Sequence, residues 1–261
     1  MSAPAPGWPR VALLSLSDKS GAAAFAGALA AHGTRLLASG GTASALRESG
    51  LTVTAVEDWT GFPELLGGRV KTLHPHVHAP ILARRDAPAD MAAIAGLGLD
   101  AIDLVAVTLY PFEERAASLP DAGMIEEIDI GGVALLRAAA KNHDGVIVVN
   151  DPAAYPEVLA ALEAGVTAEQ RRHWALQAFA RTARYDAAIA SELARRAAPD
   201  AAEPPAFHAL VLERARRLRY GENPHQGAAL YARGGSLRSL EAWREGKELS
   251  FNNLLDLEAA V

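Results

Sequence analysis

The sequence predicts a doubly wound, mostly parallel α/β fold, and two patterns predict it. Five short runs of small and branched apolar residues recur along the first 150 positions, and helical stretches separate them. Runs that are apolar throughout belong to strands buried on both faces, in a sheet covered by helices and joined by right-handed crossovers. Residues 11–16 form the first strand, and residues 21–31 a helix stopped by His32-Gly33. Residues 34–38 are the second strand, followed by a helix from about Thr42 to Ser49. Residues 50–56, 104–109 and 145–149 are the third, fourth and fifth strands, the last stopped by Asn150-Asp151-Pro152. Amphipathic helices near residues 152–164 and 168–197 close this unit.

The first domain is therefore expected over residues 1–197, and residues 198–205 are the linker, since adjacent prolines forbid helix. Residues 206–261 are too short to promise a core of their own and end inside an apparent helix, 253–261. The chain is accordingly expected to be the front part of something longer, or of a lineage that lost the rest.

Composition narrows the classes. Of 261 residues, 50% are hydrophobic and 21% charged, ordinary for a soluble globular protein. A net charge of −6 argues against a nucleic-acid partner. The absence of cysteine excludes disulfides, thiolate metal sites and cysteine nucleophiles. Residues 1–9 have neither a basic nor an apolar leader region and look like a disordered lead-in. The longest small-apolar run, 22–31, is far below the ~20 residues that span a bilayer. A soluble, cytoplasmic protein with no membrane partner is expected.

Ligands of such sheets bind beyond the carboxyl ends of the strands. After the first strand, Ser17-Asp18-Lys19-Ser20 brings hydroxyls and a lysine to a helix start. After the second, Ser39-Gly40-Gly41-Thr42 fits either a phosphate cradle or a tight turn, and the flanking hydroxyls favour the cradle. Residues 61–78 form a long irregular stretch, a length that usually marks function. Within it Arg69, Lys71 and Thr72 offer a fork donor, a point charge and a hydroxyl, suited to a phosphate or a developing oxyanion. His74, His76 and His78 suggest a metal, but no carboxylate adjoins them, so no metal is expected. Tyr110, held extended before Pro111, either presents its ring to a planar ligand or fills the core. Finally, a helix opens at Gly131-Gly132 with Asp129 at its mouth and Arg137 and Lys141 on one face. An aspartate and a lysine brought together there would make a proton-transfer site for an anionic ligand. On this run alone a capped helix with solvated basic residues explains as much.

Taken in order, residues 17–20, 38–42, 60–75, 109–112 and 128–143 resemble the N-terminal cyclohydrolase domain of the bifunctional AICAR transformylase/IMP cyclohydrolase family of purine biosynthesis. The resemblance runs from about Val11 to Ala197. It implies a methylglyoxal-synthase-like α/β fold, a homodimer, and closure of FAICAR (5-formamidoimidazole-4-carboxamide ribotide) to IMP with loss of water, with no cofactor. It implies that Ser17, Asp18, Lys19, Ser39, Gly40, Gly41, Thr42, Arg69, Val70, Thr72, Thr108, Ile130 and Gly131 hold the nucleotide. Lys71, Tyr110 and Asp129 would line the reacting ring, and Lys141 would transfer a proton. One departure is Thr108, where the family usually has Asn; the hydroxyl keeps a donor and an acceptor but loses the amide's paired geometry. Residues 218–226 and 249–258 resemble the opening of the same family's transformylase domain, in which Arg219 and Tyr220 would contact AICAR. The Lys-His pair used with the co-substrate 10-formyltetrahydrofolate would lie beyond Val261, so no formyl transfer is expected from this chain alone.

Two other classes fit the fold. A phosphometabolite-sensing regulatory module needs the Ser39–Thr42 cradle but not Lys71, Tyr110, Asp129 and Lys141 together. A lyase of the methylglyoxal-synthase type, acting on a triose phosphate, needs only a phosphate site and a carboxylate base. It leaves Tyr110 and the Arg69–Lys71 string unexplained.

Overall fold

The five apolar runs form a single parallel sheet in a computed structural model of the chain, which describes residues 5–197, 207–232 and 250–259. The strands are β1 (Val11–Leu16), β2 (Arg35–Ala38), β3 (Val53–Ala55), β4 (Leu104–Thr108) and β5 (Ile147–Val149), arranged β3-β2-β1-β4-β5. Every neighbouring pair is parallel. The chain winds outward from β1 to β3, then returns to build β4 and β5 on the other side. The fold is thus the doubly wound α/β class that the apolar runs predict, with its switch point between β1 and β4. Ala12, Leu13 and Leu14 of β1 and Leu104 to Val107 of β4 are essentially inaccessible. At roughly 1.5–3 kcal/mol for each fully buried Val or Leu side chain, these central strands are a rigid base for whatever lies at their ends.

Helices cover both faces: α1 (Ala22–Ala31), α2 (Gly40–Glu48), α3 (Val56–Thr60), α4 (Pro75–Leu82), α5 (Pro88–Gly96), α6 (Phe112–Arg115), α7 (Asp121–Glu126), α8 (Gly131–Lys141), α9 (Tyr155–Ala164) and α10 (Ala168–Ala197). α8 lies against β4, β5, α4 and α10 and buries Leu135, Leu136 and Ala138 to Ala140. No helix among the described residues is long and apolar enough to cross a membrane.

Three expectations are corrected. The third apolar run gives a strand only at Val53–Ala55, because Gly50 turns at φ 82° and Val56 already opens α3. The stretch 61–78 is irregular only to His74; Pro75 then starts α4 at the position where its missing N–H costs nothing. The lead-in is tied down from Ala5. The Trp8 ring stacks on His32 at 3.7 Å, Ala5 N–H donates to His32 C=O at 2.9 Å, and Thr34 Oγ1 donates to the Pro9 carbonyl at 2.8 Å.

The chain divides into two compact units, Met1–Ala197 and Ala198–Val261. The linker expected at 198–205, together with Leu249 and Val261, lies outside the described residues. In the second unit β6 (Glu213–Leu218) pairs antiparallel with β7 (Ala228–Ala232), with a bulge between Arg214 and Arg216. Helix α11 (Phe251–Ala259) begins where Asn253 Oδ1 accepts from both the N–H and the hydroxyl of Ser250, each at 3.0 Å. Phe251 N–H donates to the Tyr220 carbonyl at 3.1 Å.

Candidate active site

The loop that leaves β1 is clasped from two sides by buried hydroxyls. Thr42, in the first turn of α2, accepts the Leu16 N–H at 2.9 Å and donates to the Leu16 carbonyl at 3.2 Å. Thr108, at the end of β4, treats Asp18 alike: it accepts the N–H at 2.9 Å and donates to the carbonyl at 3.2 Å. Both threonines are buried, so in this structure their hydroxyls hold backbone, whereas the sequence pattern points them at a ligand. Thr108 needs no amide for that task. Ser17 N–H also donates to the Thr108 carbonyl at 3.2 Å. Asp18 folds back to accept the Ser20 N–H at 2.8 Å, and bonding to Ser20 holds its carboxyl below the usual range. Lys19 stands exposed beside it.

At the start of α2 the Ser39 hydroxyl pairs with Ser15 Oγ at 2.9 Å, leaving the Gly40-Gly41 backbone to face outward. Gly40 has a positive φ of 34°, and a Cβ there would stand 3.1 Å from Lys71 Nζ. The Lys71 stem threads past Gly68, where a Cβ would come within 2.7 Å of Lys71 Cε. An ammonium at a helix N-terminus has the wrong sign for the helix dipole. The arrangement calls for an anion between them, and Glu64 Oε2, 2.8 Å from Lys71 Nζ, supplies one. Arg69 is held in the same way, by a close ion pair with Glu126 that keeps the Glu126 carboxyl below its ordinary range. Arg69 sits within, and Lys71 directly after, a tight hairpin closed by the Leu65–Val70 bridge, in which Leu66 has a positive φ of 54°.

The mouth of α8 completes the group. A Cβ on Gly131 would lie 2.6 Å from Thr72 Oγ1, and one on Gly132 would meet the Asp129 carboxylate and Leu109. Only glycines let these segments approach so closely. Asp129 Oδ1 accepts the Gly132 N–H at 2.7 Å. Burial pushes the Asp129 carboxyl above its usual value, against the lowering effect of that bond. From α10 the Tyr185 hydroxyl accepts the Asp129 N–H at 2.7 Å and donates to the Glu127 carbonyl at 3.0 Å. Sequence reasoning missed Tyr185. In a helical pattern it counts as one more apolar position, and the only signal was a phenol on the buried face of a long helix.

Not every expected residue converges. Lys141 and Asp129 are not brought together: α8 is one unbroken helix, and about 15 Å of axis separates Gly131 from Lys141 at 1.5 Å per residue. Lys141 is exposed at the opposite edge of the sheet, near β5's start, and Arg137, also exposed, lies with its guanidinium 5.6 Å from the Phe179 ring centre. Tyr110 and Ile130 do reach the carboxyl edge, about half exposed. Tyr110 is therefore not a core aromatic. His74 caps α4 with Nδ1 accepting the His76 N–H at 3.0 Å, and the burial of His78 depresses its pKa. Among the described residues no three His, Cys, Asp or Glu side chains are placed to hold a metal. Arg219 and Tyr220 belong to the second unit, where Arg219 Nη2 donates to the Tyr220 hydroxyl at 3.1 Å. A cleft of about 840 Å³ shares Ser17, Asp18 and Thr108 with the site but opens toward Asn150 and Arg181. Arg69, Lys71 and Asp129 do not line that cleft, whose charged groups besides Asp18 come from the segments around α6, α9 and α10 instead.

Sheet order, the Gly-Gly cradle and the glycine-tight α8 mouth together define a methylglyoxal-synthase-like domain, and the MGS-like domain family matches residues 21–134. The AICARFT/IMPCHase bienzyme family matches residues 139–261. The bifunctional purine biosynthesis protein PurH of Dinoroseobacter shibae is 51% identical over 257 residues, which is 96% of this chain and 48% of the relative. Its counterpart in Anaeromyxobacter dehalogenans is 52% identical over 261 residues, 97% of this chain and 50% of the relative. Among solved structures, the crystal structure of ForH aligns with a TM-score of 0.63 at 38% identity, covering 70% of this chain and 96% of that one. The chain belongs to the bifunctional PurH family, the AICARFT/IMPCHase bienzymes. It spans about half the length of the curated relatives it matches.

Proposed function

We propose that this chain closes the purine ring of FAICAR to give IMP and water. The observation that carries the reading is the Lys71 ammonium poised over Gly40 at the head of α2, a pairing of two positive ends that an anionic ligand would satisfy. Gly40 and Gly41 N–H groups, Lys19 and Arg69 then hold the ribotide phosphate and fix the two reacting groups of one molecule side by side. The carboxamide nitrogen attacks the formyl carbon, and Lys71 stabilises the oxygen as it gains charge. One proton from the carboxamide nitrogen and one from the formamido nitrogen go to that oxygen, which leaves as water. Asp129, its carboxyl raised by burial above its usual value, is the group suited to carry the first of them. Tyr110 presents its ring to the purine. A regulatory module that only senses a phosphorylated metabolite would have no use for a half-buried carboxylate at the mouth of α8.

The same reading requires no metal or organic cofactor. It expects a homodimer, and it expects no formyl transfer to AICAR from 10-formyltetrahydrofolate by this chain alone, despite Arg219 and Tyr220. Purified chain mixed with FAICAR in the presence of EDTA should form IMP, followed by absorbance. Binding of FAICAR without turnover would sink the enzymatic reading in favour of the sensor.

A further inference from the structure

We infer that Tyr185 is a positioning residue for Asp129, holding the turn that aims the carboxylate at the site. The inference rests on the proposed cyclisation. It concerns the segment between α7 and α8, whose own backbone bonds stop at Ile128: Glu127 N–H donates to Met124 C=O at 3.2 Å and Ile128 N–H to Ile125 C=O at 3.1 Å. The Glu127 carbonyl and the Asp129 N–H lie beyond that ladder. One hydroxyl from 56 residues away serves both, accepting at 2.7 Å and donating at 3.0 Å. It closes the turn as a backbone bond would, and with it the capping contact of Asp129 on Gly132.

The ring that carries this hydroxyl is itself immobile. Tyr185 is 2% exposed, and its ring meets Phe112 edge-on with centroids 6.0 Å apart. A phenylalanine would fill the same space, so packing alone gives no reason for the oxygen. Nor does the phenol act as an acid or base, since burial pushes it up to about 12. The charged groups around it are Asp129, Glu127, which pairs with Arg115, and Arg181. What remains for the hydroxyl is geometry. It ties the long helix α10 to the half-buried carboxylate of Asp129, and a shift of about 1 Å in a reacting group can cost up to a hundredfold in rate.

The test is Tyr185→Phe, with kcat and KM for FAICAR cyclisation measured across pH beside the melting temperature. We expect kcat to fall about tenfold or more, within the range for misplaced catalytic groups, while KM changes less than about twofold. The acid limb of the profile should move to lower pH, because a loosened Asp129 gains water and loses the desolvation that raises it. In an Asp129→Asn background the same change should cost nothing further. An unchanged kcat and profile, or a loss that only follows the folded fraction, would overturn the inference. Amide exchange in the unsubstituted chain decides between the two even if the variant does not fold: a slow Asp129 N–H supports the clamp, and exchange as fast as at exposed Lys19 overturns it. Failure of the unsubstituted chain to cyclise FAICAR would sink the proposed function instead, and leave the clamp to be decided by that exchange rate.

Discussion

The two edges of the central sheet handle charge in opposite ways. At the amino edge, Asp103 receives the Arg10 N–H and Nε, both at 3.0 Å, on one oxygen and Arg10 Nη2 and Arg85 Nε, both at 3.2 Å, on the other. Arg85 also donates to the Ala83 and Ile102 carbonyls, and Asn142 Nδ2 donates to the Ile81 and Ala83 carbonyls. Side chain and backbone close on each other there. At the carboxyl edge the backbone is held from beneath by Thr42, Thr108 and Tyr185, and the cations face outward onto partners that water can reach. Lys71 and Glu64 are 31% and 44% exposed. A pair of that kind contributes ~0–1 kcal/mol, so an incoming anionic ligand displaces Glu64 at little cost. The difference separates groups that keep the fold together from groups that remain available to a ligand.

Lys71→Ala should break the functional side of this contrast most severely. Cyclisation is expected to fall by about 10²–10³, the usual loss for a donor to a developing oxyanion, while the melting temperature hardly moves. Unaltered turnover with intact folding would remove Lys71 from the site. Asp103→Ala should do the reverse. It leaves the Arg85 guanidinium, whose pKa burial already lowers, without its carboxylate. Because both side chains are about one-fifth exposed, the loss should sit at the low end for breaking a buried pair, about 3 kcal/mol in denaturant unfolding. Activity per folded molecule should stay constant. A drop in kcat with no loss of stability would mean that the amino edge communicates with the site.

How far the sequence can be read follows the same division. β1 and β4 are legible because a strand buried on both faces must be apolar at every position, as Leu13, Leu14, Val105 and Ala106 are. Gly40, Gly131 and Gly132 are legible as a turn or cradle and a helix opening, but the close approach of Thr72 and Asp129 to the last two is a tertiary fact that the sequence does not carry. Thr42 and Thr108 stand out in the sequence, but it directs their hydroxyls to a ligand instead of to Leu16 and Asp18; a hydroxyl's partner depends on tertiary placement that spacing does not encode. Tyr185 is invisible for a related reason, its partners lying 56 and 58 residues away. Lys141 is the opposite case. The sequence correctly puts it on the helix that Asp129 opens, and the length of that same helix is what separates the two.

Asp129→Asn sharpens the contrast through pH. A carboxyl whose folded pKa is raised binds its proton more tightly in the folded state, so its charge costs stability as pH rises from the ordinary carboxylate range through the raised value. The variant carries no such cost, while its side-chain oxygen can still accept from Gly132. It should therefore turn over far more slowly, with residual activity, yet be more stable than the unsubstituted chain at neutral pH, the advantage shrinking to nothing below the ordinary carboxylate range. Equal stability at pH 7 would mean that Asp129 is hydrated after all.

Lys141→Ala should have the smallest effect and locates the boundary of the site. The residue occupies the last turn of α8, exposed, where a positive charge favours the helix dipole by ~0.3–1 kcal/mol, and that is the stability expected to be lost. Its ammonium lies a helix length from Asp129, so within one chain it has no path to the reacting ring. Turnover should stay within about twofold, since a charge that far off and exposed is largely screened at physiological salt. A hundredfold loss would break that account in an informative direction, because the lysine would then have to reach a site on another copy. Mixing Lys141→Ala chains with Asp129→Asn chains distinguishes the cases: a shared site recovers activity in the mixed dimer, one copy contributing the lysine and the other the carboxylate. If each chain holds its own complete site, the mixture shows only the activity of its Lys141→Ala component.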